Sequence, residues 1–254
     1  MTRYFDTHAH YDSGKFNADR DEVLRAVHDS GVALVVDPGD SGVTSERAVA
    51  LAQAHDFVYA AVGWHPEEAD SWTDSSLAHI RALAAQPKVC AIGEIGLDYY
   101  WDASTKAKQE RMFRAQLELA LELDLPVIVH DREAHGDSLR IVCDYPQLRG
   151  VFHCYSGSVE MARELLRRGW YLGFDGPITY KNAARAPEVI AACPAERILL
   201  ETDSPYLAPV PNRGKRNDSH NLPFIAARVA EIKGMTIDQV AEVTLQNGKK
   251  LFDL

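Results

Sequence analysis

Short β-branched runs alternate with amphipathic stretches from one end of the chain to the other, and no other feature restricts the fold as much. The predicted strands are Tyr4–His8, Ala33–Asp37, Val58–Val62, Val89–Gly93, Pro126–His130, Gly150–His153, Tyr171–Phe174 and Ile198–Glu201. Helical patterns lie between them, such as Lys106–Leu123, apolar at Met112, Phe113, Leu117, Ala120 and Leu121, and Val159–Arg168. Strict alternation implies parallel strands with right-handed crossovers, because a tight hairpin cannot join parallel neighbours. Eight such strands predict an α/β fold closed as a TIM-type (β/α)8 barrel, for which 254 residues is an ordinary length. The rival, an open doubly wound sheet, places a glycine-rich turn after its first strand. Here that strand runs into Thr7-His8-Ala9-His10 instead. No linker or repeat breaks the pattern, so a single domain is expected over residues 1–254. A last helix is expected over Ile237–Leu251, after a loop, Pro205–Leu222, long enough to suggest a functional segment.

Composition removes several classes. The length supports a large core without disulfides or a structural metal. No run approaches the ~18 apolar residues of a membrane span, and Met1-Thr2-Arg3-Tyr4-Phe5-Asp6 does not read as a signal peptide, so a cytoplasmic location is expected. The four cysteines, Cys90, Cys143, Cys154 and Cys193, show no metal-site spacing and read as buried small hydrophobes. A net charge of −10 argues against a nucleic-acid binder with a broad basic face. It leaves a nuclease open, because divalent ions supply positive charge where phosphate sits.

Histidines and acids fall where the strands end. His8 and His10 follow the first predicted strand, Glu94 the fourth, and His130, His153 and Asp203 the fifth, sixth and eighth. In a barrel those ends meet on one face, where barrel enzymes keep their active sites. The two-residue period of extended chain points His8 and His10 the same way, which offers two imidazoles side by side. Any one of these residues alone reads as a hydrogen-bonded core group; together they predict a metal site. Four histidines and two carboxylates exceed what one tetrahedral ion uses, so two divalent ions per chain are expected, with Glu94 placed to bridge them. The donor set suits Zn, Mn, Mg, Co or Fe rather than Ca. His65, in Gly63-Trp64-His65-Pro66, joins the same rim as a substrate-facing or ligand-supporting residue.

The motifs Thr7-His8-Ala9-His10, Gly93-Glu94-Ile95-Gly96-Leu97-Asp98-Tyr99, Pro126-Val127-Ile128-Val129-His130-Asp131-Arg132, Phe152-His153-Cys154-Tyr155-Ser156-Gly157 and Glu201-Thr202-Asp203-Ser204-Pro205 resemble those of the TatD family of metal-dependent deoxyribonucleases, within the amidohydrolase superfamily. The resemblance runs from the first strand to the final helices. It implies a binuclear barrel hydrolase acting on DNA phosphodiesters as a 3'-5' exonuclease-like enzyme. His8, His10, Glu94, His130, His153 and Asp203 fall on the family's ligand positions. The family also includes members linked to deacylation of D-aminoacyl-tRNA, so the resemblance fixes metal chemistry better than substrate.

Basic residues near that rim favour phosphate. Arg132 lies two positions past His130, and Lys181, Arg213 and Arg216 sit on loops expected at the same face. Arginine holds phosphate through a bidentate fork. Tyr99, Tyr100 and Trp101 offer rings for stacking a base, or for packing their own loop. Three functions follow: a nuclease acting on DNA, single-stranded by preference; an amide or ester hydrolase, including one for D-aminoacyl-tRNA; and a non-catalytic metal-binding adaptor. Asp203 counts against the adaptor, since it offers a general base beside the metals, while Glu94 and His65 complete the expected catalytic set. Glu201 shares the strand parity of Asp203 and is expected to orient a ligand histidine. No membrane or protein partner is expected.

Overall fold

A computed structural model describes residues 2–101 and 103–254. The strands are β1 Tyr4–Asp6, β2 Val32–Pro38, β3 Val58–Val62, β4 Val89–Asp98, β5 Val127–Arg132, β6 Gly150–Phe152, β7 Tyr171–Phe174 and β8 Ile198–Leu200. The helices are α1 Arg20–Asp29, α2 Gly42–Ala54, α3 Ser76–Ala84, α4 Lys106–Leu123, α5 His135–Cys143, α6 Val159–Arg167, α7 Ala186–Ala192, α8 Leu222–Lys233 and α9 Ile237–Phe252. The strands follow one another in chain order in one eight-stranded sheet, as the (β/α)8 expectation requires. No described helix is long and apolar enough to cross a membrane.

The chain divides into two compact units, Met1–Asp37 with Cys154–Leu254, and Pro38–His153. In the first, β1 lies parallel to β2, with Phe5 opposite Leu34 and Asp6 opposite Val35. On its other side the Thr7 amide donates to the Leu200 carbonyl at the end of β8, and Ala9 bridges to Ser204. The eighth strand is thereby fastened to the first. β7 completes the set, pairing Phe174 with Leu200. A capping box of Thr236 and Gln239 starts α9, whose Leu251 and Phe252 are buried, the latter with its ring centre 6.0 Å from that of Phe5.

In the second unit β3, β4, β5 and β6 are consecutive parallel neighbours. Here the structure departs from the sequence reading. The expected end of the fourth strand at Gly93 is an interruption, and β4 continues to Asp98. Ile92 pairs with Val127 but Ile95 with Val129, so β4 spends one extra residue at Gly93-Glu94. This is a bulge, which re-aims a side chain without ending the pairing. Gly96, just beyond, has φ +147° and lies so close to β5 that a Cβ would come within 2.0 Å of the His130 carbonyl oxygen. Helix α4 matches its expected bounds and buries Met112, Phe113, Leu117 and Ala120. It also buries Gln109 and Gln116, which the apolar pattern did not single out. The expected apolar role of the cysteines holds for Cys90 and Cys193, both buried.

Candidate metal centre

In the first unit, three donors gather beyond the ends of β1 and β8. His8 Nε2 and His10 Nε2 lie 3.1 Å apart, and Asp203 Oδ1 is 3.7 Å from the first and 3.5 Å from the second. Donors bound at ~2.1 Å around a near-tetrahedral ion are about 3.4 Å from one another. The observed triangle therefore has the edge lengths of a coordination sphere. His8 is fully buried and His10 nearly so, while Asp203 retains some exposure. The backbone sets this arrangement. The Asp203 amide donates to the His8 carbonyl, the His10 amide to that of Ser204, and Asp203 adopts a left-handed φ of +54°.

Beneath this triangle sits Asp6, fully buried at the end of β1. It accepts hydrogen bonds from the Thr202 amide and hydroxyl, the Ser219 hydroxyl and the His8 amide. Burial pushes its pKa up to about 7 even though those four bonds pull it down. Glu201 accepts the backbone N–H of Cys154, next to His153. A side chain on Gly173 would meet the Glu201 carboxylate at 2.3 Å, which explains the glycine there.

The second unit presents another set. Glu94 Oε1 lies 2.8 Å from His130 Nδ1 and 2.7 Å from His153 Nε2, and the two nitrogens are 3.3 Å apart. The two nitrogens stand at coordination spacing, and the carboxylate oxygen lies at hydrogen-bond distance from both, so the three donors of one ion are gathered in a tighter, metal-free arrangement. The bulge in β4 is what carries Glu94 to this point. His65 comes closer than expected: its Nε2 is 3.5 Å from Glu94 Oε1, and it forms with Glu94 and His130 a second group at ligand spacing. Its Nδ1 accepts the Glu67 amide, which leaves Nε2 to face the carboxylate. Gln116 of α4 holds the preceding residue, accepting the Trp64 amide and donating to the Trp64 carbonyl.

Asp98, within the Gly93–Tyr99 motif, is a site residue that local pattern does not single out. Its Oδ2 lies 3.1 Å from His130 Nε2, the ring nitrogen that does not face Glu94. A carboxylate on the far side of a ligand histidine fixes the ring and raises its basicity. Burial pulls the His130 pKa down, but its bonds to Asp98 and Glu94 outweigh that and raise it to about 9 in the metal-free protein. Asp98 is held below the usual carboxylate range by His130, against the opposing effect of its own burial. Only the pairing of β4 with β5, Asp98 opposite Arg132, reveals this contact.

The four basic residues differ in environment. Arg132, at the end of β5, stacks its guanidinium 3.9 Å from the Tyr100 ring centre. Arg213 lies over Tyr180 at 4.3 Å, and Lys181 is exposed beside Tyr180. Arg216 is committed elsewhere. Its two terminal nitrogens grip both oxygens of Asp19 at 2.8 and 2.6 Å, so its fork is filled by a carboxylate. The acid lies almost 200 residues away in sequence, beyond the reach of a local reading.

Buried imidazole and carboxylate groups at coordination spacing, on a sheet of eight strands in chain order, define a metal-dependent hydrolase of the (β/α)8 type. Residues 5–253 match the family described as TatD related DNase, and the chain belongs to that family. It is 43% identical over 250 residues to the uncharacterized metal-dependent hydrolase YabD of Bacillus subtilis, covering 98% of each. It is 38% identical over 256 residues to the 3'-5' ssDNA/RNA exonuclease TatD of Cronobacter sakazakii, covering 98% of this chain and 97% of that one. The crystal structure of YJJV, a TatD homolog from Escherichia coli, superposes with a TM-score of 0.94 at 32% identity, covering 100% of this chain and 99% of that one. The protein is therefore an enzyme, a metal-dependent hydrolase of the TatD family acting on ester bonds.

Proposed function

We propose that this enzyme is a cytoplasmic deoxyribonuclease that trims single-stranded DNA from its 3' end, using two divalent ions. The observation that carries the reading is the pair of donor triangles at coordination spacing, His8–His10–Asp203 and Glu94–His130–His153. Each contains two imidazoles and one carboxylate, a set suited to Zn, Mn, Co or Fe, with Mg the hardest of the candidates. Glu94 would hold one ion with His130 and His153, and Asp203 the other with His8 and His10. When bound, such ions supply Lewis acidity and hydroxide near neutral pH.

The chain's own groups do the rest. Asp203, the more exposed carboxylate, accepts the proton of the attacking water as general base. Asp98 holds the His130 ring so that Nδ1 stays aimed at Glu94. His65 Nε2 lies beside Glu94, where it contacts the substrate or protonates the leaving oxygen. Arg132, Arg213 and Lys181 hold the phosphates; Arg216 is left out because Asp19 fills its fork. Support for DNA comes from these basic groups and from the relatives named as ssDNA/RNA exonucleases.

The test is a chelated and reloaded protein given a 5'-labelled single-stranded oligonucleotide and, separately, a D-aminoacyl-tRNA. A ladder shortening from the 3' end with Mg, Mn, Zn, Co or Fe supports the reading. Deacylation without DNA cleavage would overturn it. Asp203→Asn should lower kcat by ~10²–10⁴-fold at full metal occupancy, and an unchanged rate removes Asp203 as the base.

A further inference from the structure

The loop after β4 holds large aromatic side chains in solvent, which the hydrophobic effect normally opposes. Tyr100 is 55% exposed and Trp101 65%, their rings edge to face at 4.8 Å. Arg132 adds a cation, 3.9 Å from the Tyr100 centre and 5.3 Å from that of Trp101. Tyr99 differs: it is half-buried, and its hydroxyl donates to Asp137. The exposed pair is also anchored. Asp98 Oδ1 accepts the amides of Tyr100 and Trp101, while its Oδ2 faces the ligand His130. One carboxylate thus ties the aromatic pair to a metal-ligating histidine. Trp101 further lines a cavity of ≈ 140 Å³ with Pro66, Glu67, Asp70 and Asp98.

We infer that Tyr100, Trp101 and Arg132 form a nucleobase subsite, which takes one unpaired base of a single-stranded nucleic acid and the phosphate attached to it. The inference rests on the phosphodiesterase reading above and names residues that recognise its substrate. Three features select this occupant. A flat ring gains stacking on Trp101 whatever its identity, which suits a sequence-tolerant enzyme. Glu67 in the cavity wall disfavours a phosphate and can accept from an amino group of a base, whereas Asp98 and Asp70 already hold the loop amides and Lys108, so the base goes to the Trp101 side. The guanidinium lies over the Tyr100 ring, 3.9 Å from its centre, beside the proposed base position, where its N–H groups can donate to the attached phosphate. A base paired in a duplex is stacked between its neighbours and cannot lay a face on Trp101 without leaving that stack.

Binding decides the matter independently of cleavage. Fluorescein-labelled, phosphorothioate-linked ten-mers, one of adenines and one abasic, are titrated into metal-loaded protein and followed by anisotropy. The wild type should prefer the adenine chain by roughly 10- to 100-fold. Trp101→Ala should bring that ratio close to one, Trp101→Phe should keep most of it, and Arg132→Ala should weaken both chains in parallel. Circular dichroism confirms that each variant is folded. A wild type without base preference, or a Trp101→Ala protein that keeps it, overturns the subsite even if the enzyme proves to cleave DNA. A base preference that depends on Trp101 upholds it even if the hydrolysis assay finds another scissile bond.

Discussion

His130 shows how much chemistry depends on which nitrogen faces which partner. Its Nδ1 faces Glu94 and His153 and its Nε2 faces Asp98, an arrangement that raises its pKa to about 9 without metal. An ion arriving at Nδ1 must displace a proton below that pH. Apparent affinity at the Glu94 set should therefore rise about tenfold per pH unit and level off near pH 9. Asp98→Asn removes the charge that raises the histidine, so the levelling should move to lower pH while affinity there falls ~10–100-fold. Competition with a chromophoric chelator between acid and alkaline pH measures both, and a flat affinity profile in the wild type would contradict the pairing. The linkage to stability has a definite sign. An unfolded histidine titrates near ~6.5, so the raised folded value stabilises the metal-free protein fully below that pH. The contribution is lost as pH rises through about 9.

At the scale of elements, β4 separates what local pattern predicts from what it misses. Helix α4 was legible to the residue because its apolar positions recur along one face over many turns. Gly93-Glu94-Ile95-Gly96 read as the end of a strand, since glycines punctuate short patterns, yet here they form a bulge within one. The glycines serve proximity: Gly96 lies against the His130 backbone in a conformation that other residues rarely adopt. Gly96→Ala should consequently cost more than ~3 kcal/mol, above the ordinary range for a point change. It should also displace His130 relative to Glu94. Urea unfolding reads the first effect and metal affinity the second; a variant as stable as the wild type would show that β4 and β5 can separate at no cost.

For the molecule as a whole, Asp6 is the group whose loss should be felt furthest. It ties the first strand to the residues after the eighth and to Ser219 in the long loop, all in the neighbourhood of His8 and Asp203. Asp6→Ala leaves buried donors unmatched at ~1–3 kcal/mol each, so a loss of several kcal/mol is expected in chemical denaturation. Its pKa of about 7 lies above the ~3.9 of an unfolded aspartate. The neutral acid is thus the form the fold prefers: its stabilising contribution is complete below ~3.9 and disappears as pH rises through about 7. Asp6→Asn, which stays neutral, should flatten the stability profile over that window. A variant that retains the wild-type slope would assign the slope to other groups.

The sequence by itself determined the alternation of strands and helices, the eight-stranded order, and the placing of His8, His10, His130, His153 and Asp203 at or just beyond strand ends. All three rest on local periodicity or on the fixed polarity of parallel strands, so they need no knowledge of distant contacts. Tertiary structure alone decided the rest: the bulge that aims Glu94, the service of Asp98 to His130, the approach of His65, and the loss of the Arg216 fork to Asp19. Each depends on the distance and orientation of side chains brought together by packing. Coordination and hydrogen bonding discriminate at tenths of an ångström, a precision that residue spacing does not encode.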